Sequence, residues 1–159
     1  AKHYKFMIIL SPVGSYYAAN DGGLTTTRIY VQDEYIRAAR GGTGFAKCGG
    51  NYGGAMRASL DAMKYDCKDV LWLDAAENKY VEEIGTSNAF FRIADEVITA
   101  PLTSGTAAVI SPIGWLNYKG TDVQVADGKV GPVAQKLYNT LYGMQTGTVA
   151  DDMGWTVKL

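Results

Sequence analysis

Apolar residues are spaced along this chain in three ways, and each spacing predicts a different element. An almost unbroken apolar run over residues 5–13 reads as a buried strand that opens the core and stops at the Pro12-Val13-Gly14 turn signal. Residues 25–31 are rich in β-branched and aromatic side chains and predict a further strand, after which Asp33 is placed to cap a short helix holding Tyr35, Ile36 and Ala39. Good helix formers over 55–65, with Met56, Leu60 and Met63 sharing one face, predict a longer helix. The short apolar block Val70-Leu71-Trp72-Leu73 reads as a buried strand, and residues 88–93 and 96–99 as a hairpin turning at Ala94-Asp95. Strands continue over 107–110, 115–118 and 122–125, and an amphipathic helix over about 131–142 turns Val133, Leu137, Leu141 and Met144 to one side. Together these predict an α+β domain with a mixed, mostly antiparallel sheet and no internal repeat.

Composition narrows the chemistry. At 159 residues the chain has room for one core, given roughly 100–200 residues per domain. A formal net charge of −1 argues against a surface built to follow nucleic acid. No apolar run reaches the roughly 18–20 residues that span a bilayer, and the expected setting is the cytoplasm. Cys48 and Cys67 are the only cysteines and His3 the only histidine, so one chain cannot assemble a zinc site from several Cys or His ligands, and histidine-dependent hydrolytic triads are excluded unless His3 serves. Two cysteines make no disulfide framework.

Between Arg40 and Gly54 the glycines gather: Gly41, Gly42, Gly44, Gly49, Gly50, Gly53 and Gly54 surround Lys47, Asn51 and Tyr52. Phosphate-binding patterns do not fit. A P-loop needs glycine before its lysine and Ser or Thr after it, whereas Lys47 stands between Ala46 and Cys48, and the dinucleotide fingerprint lacks its third glycine. A lysine is usually a solvated charge, but glycine on both sides lets backbone pack closely around this one. Taken alone, Glu83 reads equally as a solvated strand carboxylate, Tyr52 as a packed aromatic, Cys48 as a small buried residue, and Ser104-Gly105-Thr106 as a turn.

The stretch Arg40-Gly41-Gly42-Thr43-Gly44-Phe45-Ala46-Lys47-Cys48-Gly49-Gly50-Asn51-Tyr52 resembles the cofactor-lysine segment of the branched-chain amino-acid aminotransferases, fold-type IV enzymes that use pyridoxal 5'-phosphate. Further blocks follow in that family's order: Ser11-Pro12-Val13-Gly14-Ser15-Tyr16-Tyr17, Val70-Leu71-Trp72-Leu73-Asp74, Glu82-Glu83-Ile84-Gly85-Thr86-Ser87-Asn88-Ala89-Phe90-Phe91, Gly105-Thr106-Ala107-Ala108-Val109-Ile110-Ser111-Pro112 and Gly128-Lys129-Val130-Gly131-Pro132. The resemblance implies the family's large domain, a mostly antiparallel sheet or barrel with packed helices. It implies that Lys47 carries the cofactor and moves a proton, that Glu83 pairs with the pyridine nitrogen, and that Tyr52 bonds the phenolic oxygen. Ser104, Gly105 and Thr106 match cofactor-binding positions, and Tyr16, Thr86 and Ala107 match substrate-binding ones. The implied reaction is amino transfer between Leu, Ile or Val and 2-oxoglutarate in a homodimer.

Two departures stand against this pattern. Residues 1–23 resemble an interdomain connector and 24–159 the cofactor-binding domain, but the family's small domain has no counterpart here. Near residues 105–106 the sequence also passes from one family block to another that belongs well downstream, as though a segment were absent at that join. Alternative expectations are a truncated, non-catalytic binding module, or another fold-type IV enzyme such as a D-amino-acid aminotransferase or an aminodeoxychorismate lyase.

Overall fold

A computed structural model describes residues 2–12, 23–85, 87–94, 97–98, 101–105 and 109–157. In chain order the elements are β1 (Thr27–Gln32), α1 (Gly49–Met63), β2 (Asp69–Leu73), β3 (Val81–Ile84), β4 (Asn88–Phe90), β5 (Ile93–Ala94), β6 (Val97–Ile98), β7 (Leu102–Ser104), β8 (Ser111–Tyr118), β9 (Thr121–Gln124) and α2 (Pro132–Thr146). The main sheet runs β3-β2-β1-β8-β7-β4, with β9 added to β8. Strand β1 lies parallel to both β2 and β8, while the remaining pairings are antiparallel, so the sheet is mixed and mostly antiparallel as the spacing predicts. Its two end strands, β3 and β4, are consecutive in sequence and meet through an Ile84–Ser87 bridge, which brings the sheet nearly to closure. Two helices on a nearly closed mixed sheet make this an α+β fold, as expected from the sequence.

Strand alternation divides the core. Val70 and Trp72 of β2 and Tyr30 of β1 face α1, where they pack with Ala58, Ala62 and Cys67. Leu71 and Ile29 point the other way, into a cluster with Ile84 and Ile113. Each such fully buried side chain contributes roughly 1.5–3 kcal/mol. A third cluster, of Leu102, Ile110 and Ala134, seats α2 on the sheet.

Helix α1 starts six residues before the expected 55, inside the glycine cluster, with Cys48 as an extended N-cap. Glycine in a helix costs about 0.8–1 kcal/mol relative to alanine, and contacts made by Ala55, Ala58 and Ala62 against the sheet offset that cost. Met56, Leu60 and Met63 do share a face, but it is the outer one, at 69%, 56% and 68% exposure. Trp72 fills the volume beneath the helix, so only alanine fits between them. In α2 the inward face is likewise rotated by one position: Ala134, Tyr138 and Leu141 meet the core while Leu137 is exposed.

Other expectations need correction. Residues 2–12 form no regular element, and Phe6, Ile8 and Leu10 are exposed; an apolar run becomes a buried strand only where a neighbouring strand or face receives it. No helix forms over 33–39. The Gln32 side chain instead accepts hydrogen bonds from the Glu34 and Tyr35 backbone N–H groups, and Asp33 turns to Lys119 and Tyr118. The hairpin exists as β5 and β6, but Ala94, expected in its turn, pairs with Val97; positions 95 and 96 lie outside the described residues. Within 107–110, Val109 and Ile110 form a bend, and Val109 has φ of 54°, a costly backbone for a β-branched residue.

Candidate active site

The glycine loop is held to α1 by Asn51. Its Nδ2 donates to the carbonyls of Thr43 and Ala46, each at 2.8 Å, and the Thr43 hydroxyl donates back to Asn51 Oδ1 at 2.7 Å. These bonds, with Ala46 N–H to Thr43 O, fold residues 43–46 into a tight turn and deliver Lys47 just ahead of the helix N-cap. Gly44 is required here, because a Cβ would stand 2.5 Å from Ala38 Cβ. Along the helix start the case is opposite: a Cβ on Gly49, Gly50, Gly53 or Gly54 would meet nothing within 4 Å, so these positions are uncrowded. The helix start also favours negative charge. The Thr43 hydroxyl and the first-turn N–H groups lower the Cys48 thiol below its ordinary pKa.

Lys47 opens into a cavity of about 130 Å³ lined by Arg37, Gly44, Phe45, Ala46, Lys47, Tyr52 and Glu83. Three residues singled out from sequence therefore meet there: Lys47 from the loop, Tyr52 from the first turn of α1, and Glu83 from β3. Glu83 rather than its neighbour Glu82 lines the space, because strand alternation sends adjacent side chains to opposite faces. The volume falls below the roughly 300 Å³ usual for a small-molecule site, consistent with one wall of a larger one. Another cavity, about 350 Å³, lies beside the start of α2, and its lining includes Asp127 and Lys129 but none of these residues.

Arg37 is the functional residue that the sequence pattern missed. Its side chain is 10% exposed, and Nε lies 3.3 Å from Glu83 Oε1. The guanidinium also sits over the Tyr52 ring, 5.5 Å from its centroid. Although Nε is close enough to Glu83 for charge attraction, neither it nor Nη1 makes a hydrogen bond. The available signal was a charge set among Ile36, Ala38 and Ala39, since arginine is rarely buried without a partner.

Ser104 and Gly105 do not line this cavity. The Ser104 hydroxyl donates to the Val109 carbonyl at 2.7 Å and the Gly105 carbonyl accepts from the Val109 N–H, so both hold the turn after β7. Tyr16, Thr86, Thr106 and Ala107 lie outside the described residues.

No family model matches the chain. Individual relatives do. Branched-chain-amino-acid transaminase 1 of Bacillus subtilis (strain 168) is 38% identical over 206 aligned positions, which take in all of this chain and 57% of that protein. A probable branched-chain-amino-acid aminotransferase of Staphylococcus aureus (strain N315) is 38% identical over 97% of this chain and 56% of its own length. The chain belongs to the branched-chain aminotransferase family. It spans little more than half the length of these relatives. Because the alignment with the B. subtilis family member has 206 positions and the chain 159 residues, 47 of those positions have no residue here.

Solved structures of the family share the fold. The Escherichia coli branched-chain amino acid aminotransferase superposes with a TM-score of 0.73 at 24% identity, over 91% of this chain and 59% of that one. A T.th. branched-chain amino acid aminotransferase, solved in complex with N-(5'-phosphopyridoxyl)-L-glutamate, gives 0.68 at 22% identity, over 82% and 55%.

Proposed function

We propose that this chain forms the cofactor-binding part of an enzyme that transfers amino groups from branched-chain L-amino acids, with Lys47 as the residue that holds pyridoxal 5'-phosphate. The observation carrying this reading is the meeting of Lys47, Tyr52 and Glu83 in one cavity, together with relatives named for that activity. The residues present fit the group. Lys47 offers an amine, Glu83 offers a carboxylate to a ring N–H, and the unmatched Arg37 donors lie in a wall that needs an anion or acceptor. When bound, the cofactor supplies an electron sink for the pair left behind when an amino acid loses its α proton.

The chain's residues divide the remaining work. The Lys47 amine would hold the cofactor and, once released from it, would serve as the base that takes the substrate α proton and gives it back. Glu83 would hold the ring N–H, and Tyr52 would donate to the phenolic oxygen. Ser104, Gly105 and Thr106 are assigned to the cofactor and Tyr16, Thr86 and Ala107 to the substrate by family position. Leu, Ile and Val as donors, 2-oxoglutarate as acceptor, a homodimer and a cytoplasmic setting complete the proposal.

We also infer that 1–23 is an interdomain connector and 24–159 the cofactor-binding domain, and that a segment is missing inside the latter at the join near residues 105–106. The 47 unmatched alignment positions support the missing segment. An intact mass near 17.1 kDa for the protein isolated from its source would overturn this.

The test of function is borohydride reduction with pyridoxal phosphate, followed by peptide mapping. The expected outcome is one reduced adduct, on Lys47, with leucine shifting the absorption of the unreduced complex. Labelling spread over surface lysines, or none at all, sinks the reading and favours a non-catalytic module.

A further inference from the structure

We infer that Arg37 is a positioning residue for the cofactor site, acting through Glu83 and Tyr52; the inference rests on the cofactor reading of the Lys47 cavity. A guanidinium that is nine-tenths buried and leaves two nitrogens without hydrogen bonds is costly unless something completes it. Arg37 lines the same cavity as Lys47 and faces two of the residues assigned to the cofactor ring. Its Nε is 3.3 Å from Glu83 Oε1, off the direction of a good hydrogen bond, and its plane lies against the Tyr52 ring.

This geometry gives Arg37 one task at two points. Glu83 is on a strand at the end of the sheet, and its carboxyl is 38% exposed. Left alone, that side chain samples rotamers that carry its oxygens away from the cavity. The guanidinium restricts it by charge attraction from the buried side. On its other contact, the cation over Tyr52 fixes the ring's tilt and therefore the direction of its hydroxyl. Arg37 itself needs no contact with the reacting atoms. A planar, permanently charged fork suits both contacts, whereas lysine supplies the charge without the plane.

The experiment is a double-mutant cycle read by cofactor binding rather than by turnover. Pyridoxal phosphate is titrated into the parent chain, Arg37→Met, Arg37→Lys, Glu83→Gln and the Arg37→Met/Glu83→Gln double variant, following absorbance, with circular dichroism confirming the fold. Arg37→Met is expected to weaken binding about 10-fold and to change the bound-cofactor spectrum, while Lys47 still becomes labelled at saturating cofactor. Arg37→Lys should recover part of the loss. The double variant should lose less than the sum of the two single losses, because part of the effect of Arg37 passes through that carboxylate.

Additive losses, or binding and spectrum unchanged in Arg37→Met, overturn the inference and leave the Lys47 reading standing. If the parent chain labels no lysine, the cofactor reading has failed first. Should Arg37→Met fail to fold, Arg37→Lys against Glu83→Gln decides: parent-like binding and spectrum in the lysine variant overturn the inference, and partial loss that shrinks on the Glu83→Gln background supports it.

Discussion

Two arginines in this molecule are built into the same trio, a guanidinium with a carboxylate beside it and an aromatic ring beneath, yet in one the ion pair is finished by hydrogen bonds and in the other it is not. Arg28 on β1 places Nη2 at 2.8 and 2.9 Å from the two Asp122 oxygens and lies 5.9 Å from the Trp115 ring centroid. Asp122 accepts a further bond from Asn117, so the carboxylate is matched and the trio ties β1 to the β8–β9 hairpin. Arg37 is more deeply buried, at 10% side-chain exposure against 30%, and stands 3.3 Å from its carboxylate with Nε and Nη1 unmatched, whereas Arg28 leaves Nε unmatched but bonds its carboxylate through Nη2. A completed ion pair explains itself as structure. An uncompleted one that is buried, and that shares a cavity with a lysine, calls for a missing group. The contrast thus separates a strut from a site without appeal to residue type, since both trios contain the same chemistry.

The largest expected effect tests the unfinished side. Lys47→Ala should abolish reductive attachment of pyridoxal phosphate while leaving the far-ultraviolet circular dichroism unchanged, because Lys47 is exposed and makes no core contact. Attachment that persists elsewhere in the chain would place the cofactor amine outside this cavity and dissolve the distinction between the trios.

Smaller effects come from the glycines on either side of Lys47, which are not equivalent. Gly44→Ala drives a methyl to 2.5 Å from Ala38 Cβ. Neither atom is the far end of a flexible chain, so the loop must shift, at about 1–3 kcal/mol. Gly53→Ala meets nothing within 4 Å and lies inside a helix, so it should stabilise the chain by about 0.4–1 kcal/mol. Urea denaturation of both variants checks the pair. If the two changes cost alike, the loop and the helix start are packed to the same degree, and the helix start is not uncrowded.

How much of this was legible in the sequence follows from where partners come from. The β2 block Val70-Leu71-Trp72-Leu73 was readable because its apolar run has both faces covered, by α1 on one side and by the Ile29–Ile84–Ile113 cluster on the other. The equally apolar residues 6–10 look the same in sequence but are exposed, because coverage depends on the rest of the molecule. Lys47, Tyr52 and Glu83 were legible through resemblance of whole blocks, since a lone glutamate beside Glu82 carries no such information. Arg37 was not. Its role comes from a long-range meeting with β3 and α1, and local spacing instead placed its segment in a helix that the local bonds of the Gln32 side chain and the long-range pairing of Asp33 with Lys119 replace with a bend.

The finished trio gives the smallest effect and the sharpest control. Arg28→Ala and Asp122→Ala, singly and together, should lower the urea midpoint by only about 0.1–0.5 M, as expected for a partly exposed pair. Hydrogen bonds from Asn117 and then Arg28 hold the Asp122 carboxyl below its ordinary pKa of 3.8. A group whose pKa is depressed on folding contributes stability that is present above the unfolded value and is lost as pH falls through the folded one. The coupling between Arg28 and Asp122 should therefore be constant near neutrality and fade below pH 3.8. None of these variants should alter pyridoxal phosphate binding. If Arg28→Ala weakens cofactor binding as much as Arg37→Met does, hydrogen-bond completion does not distinguish strut from site, and burial beside Lys47 must be weighed alone.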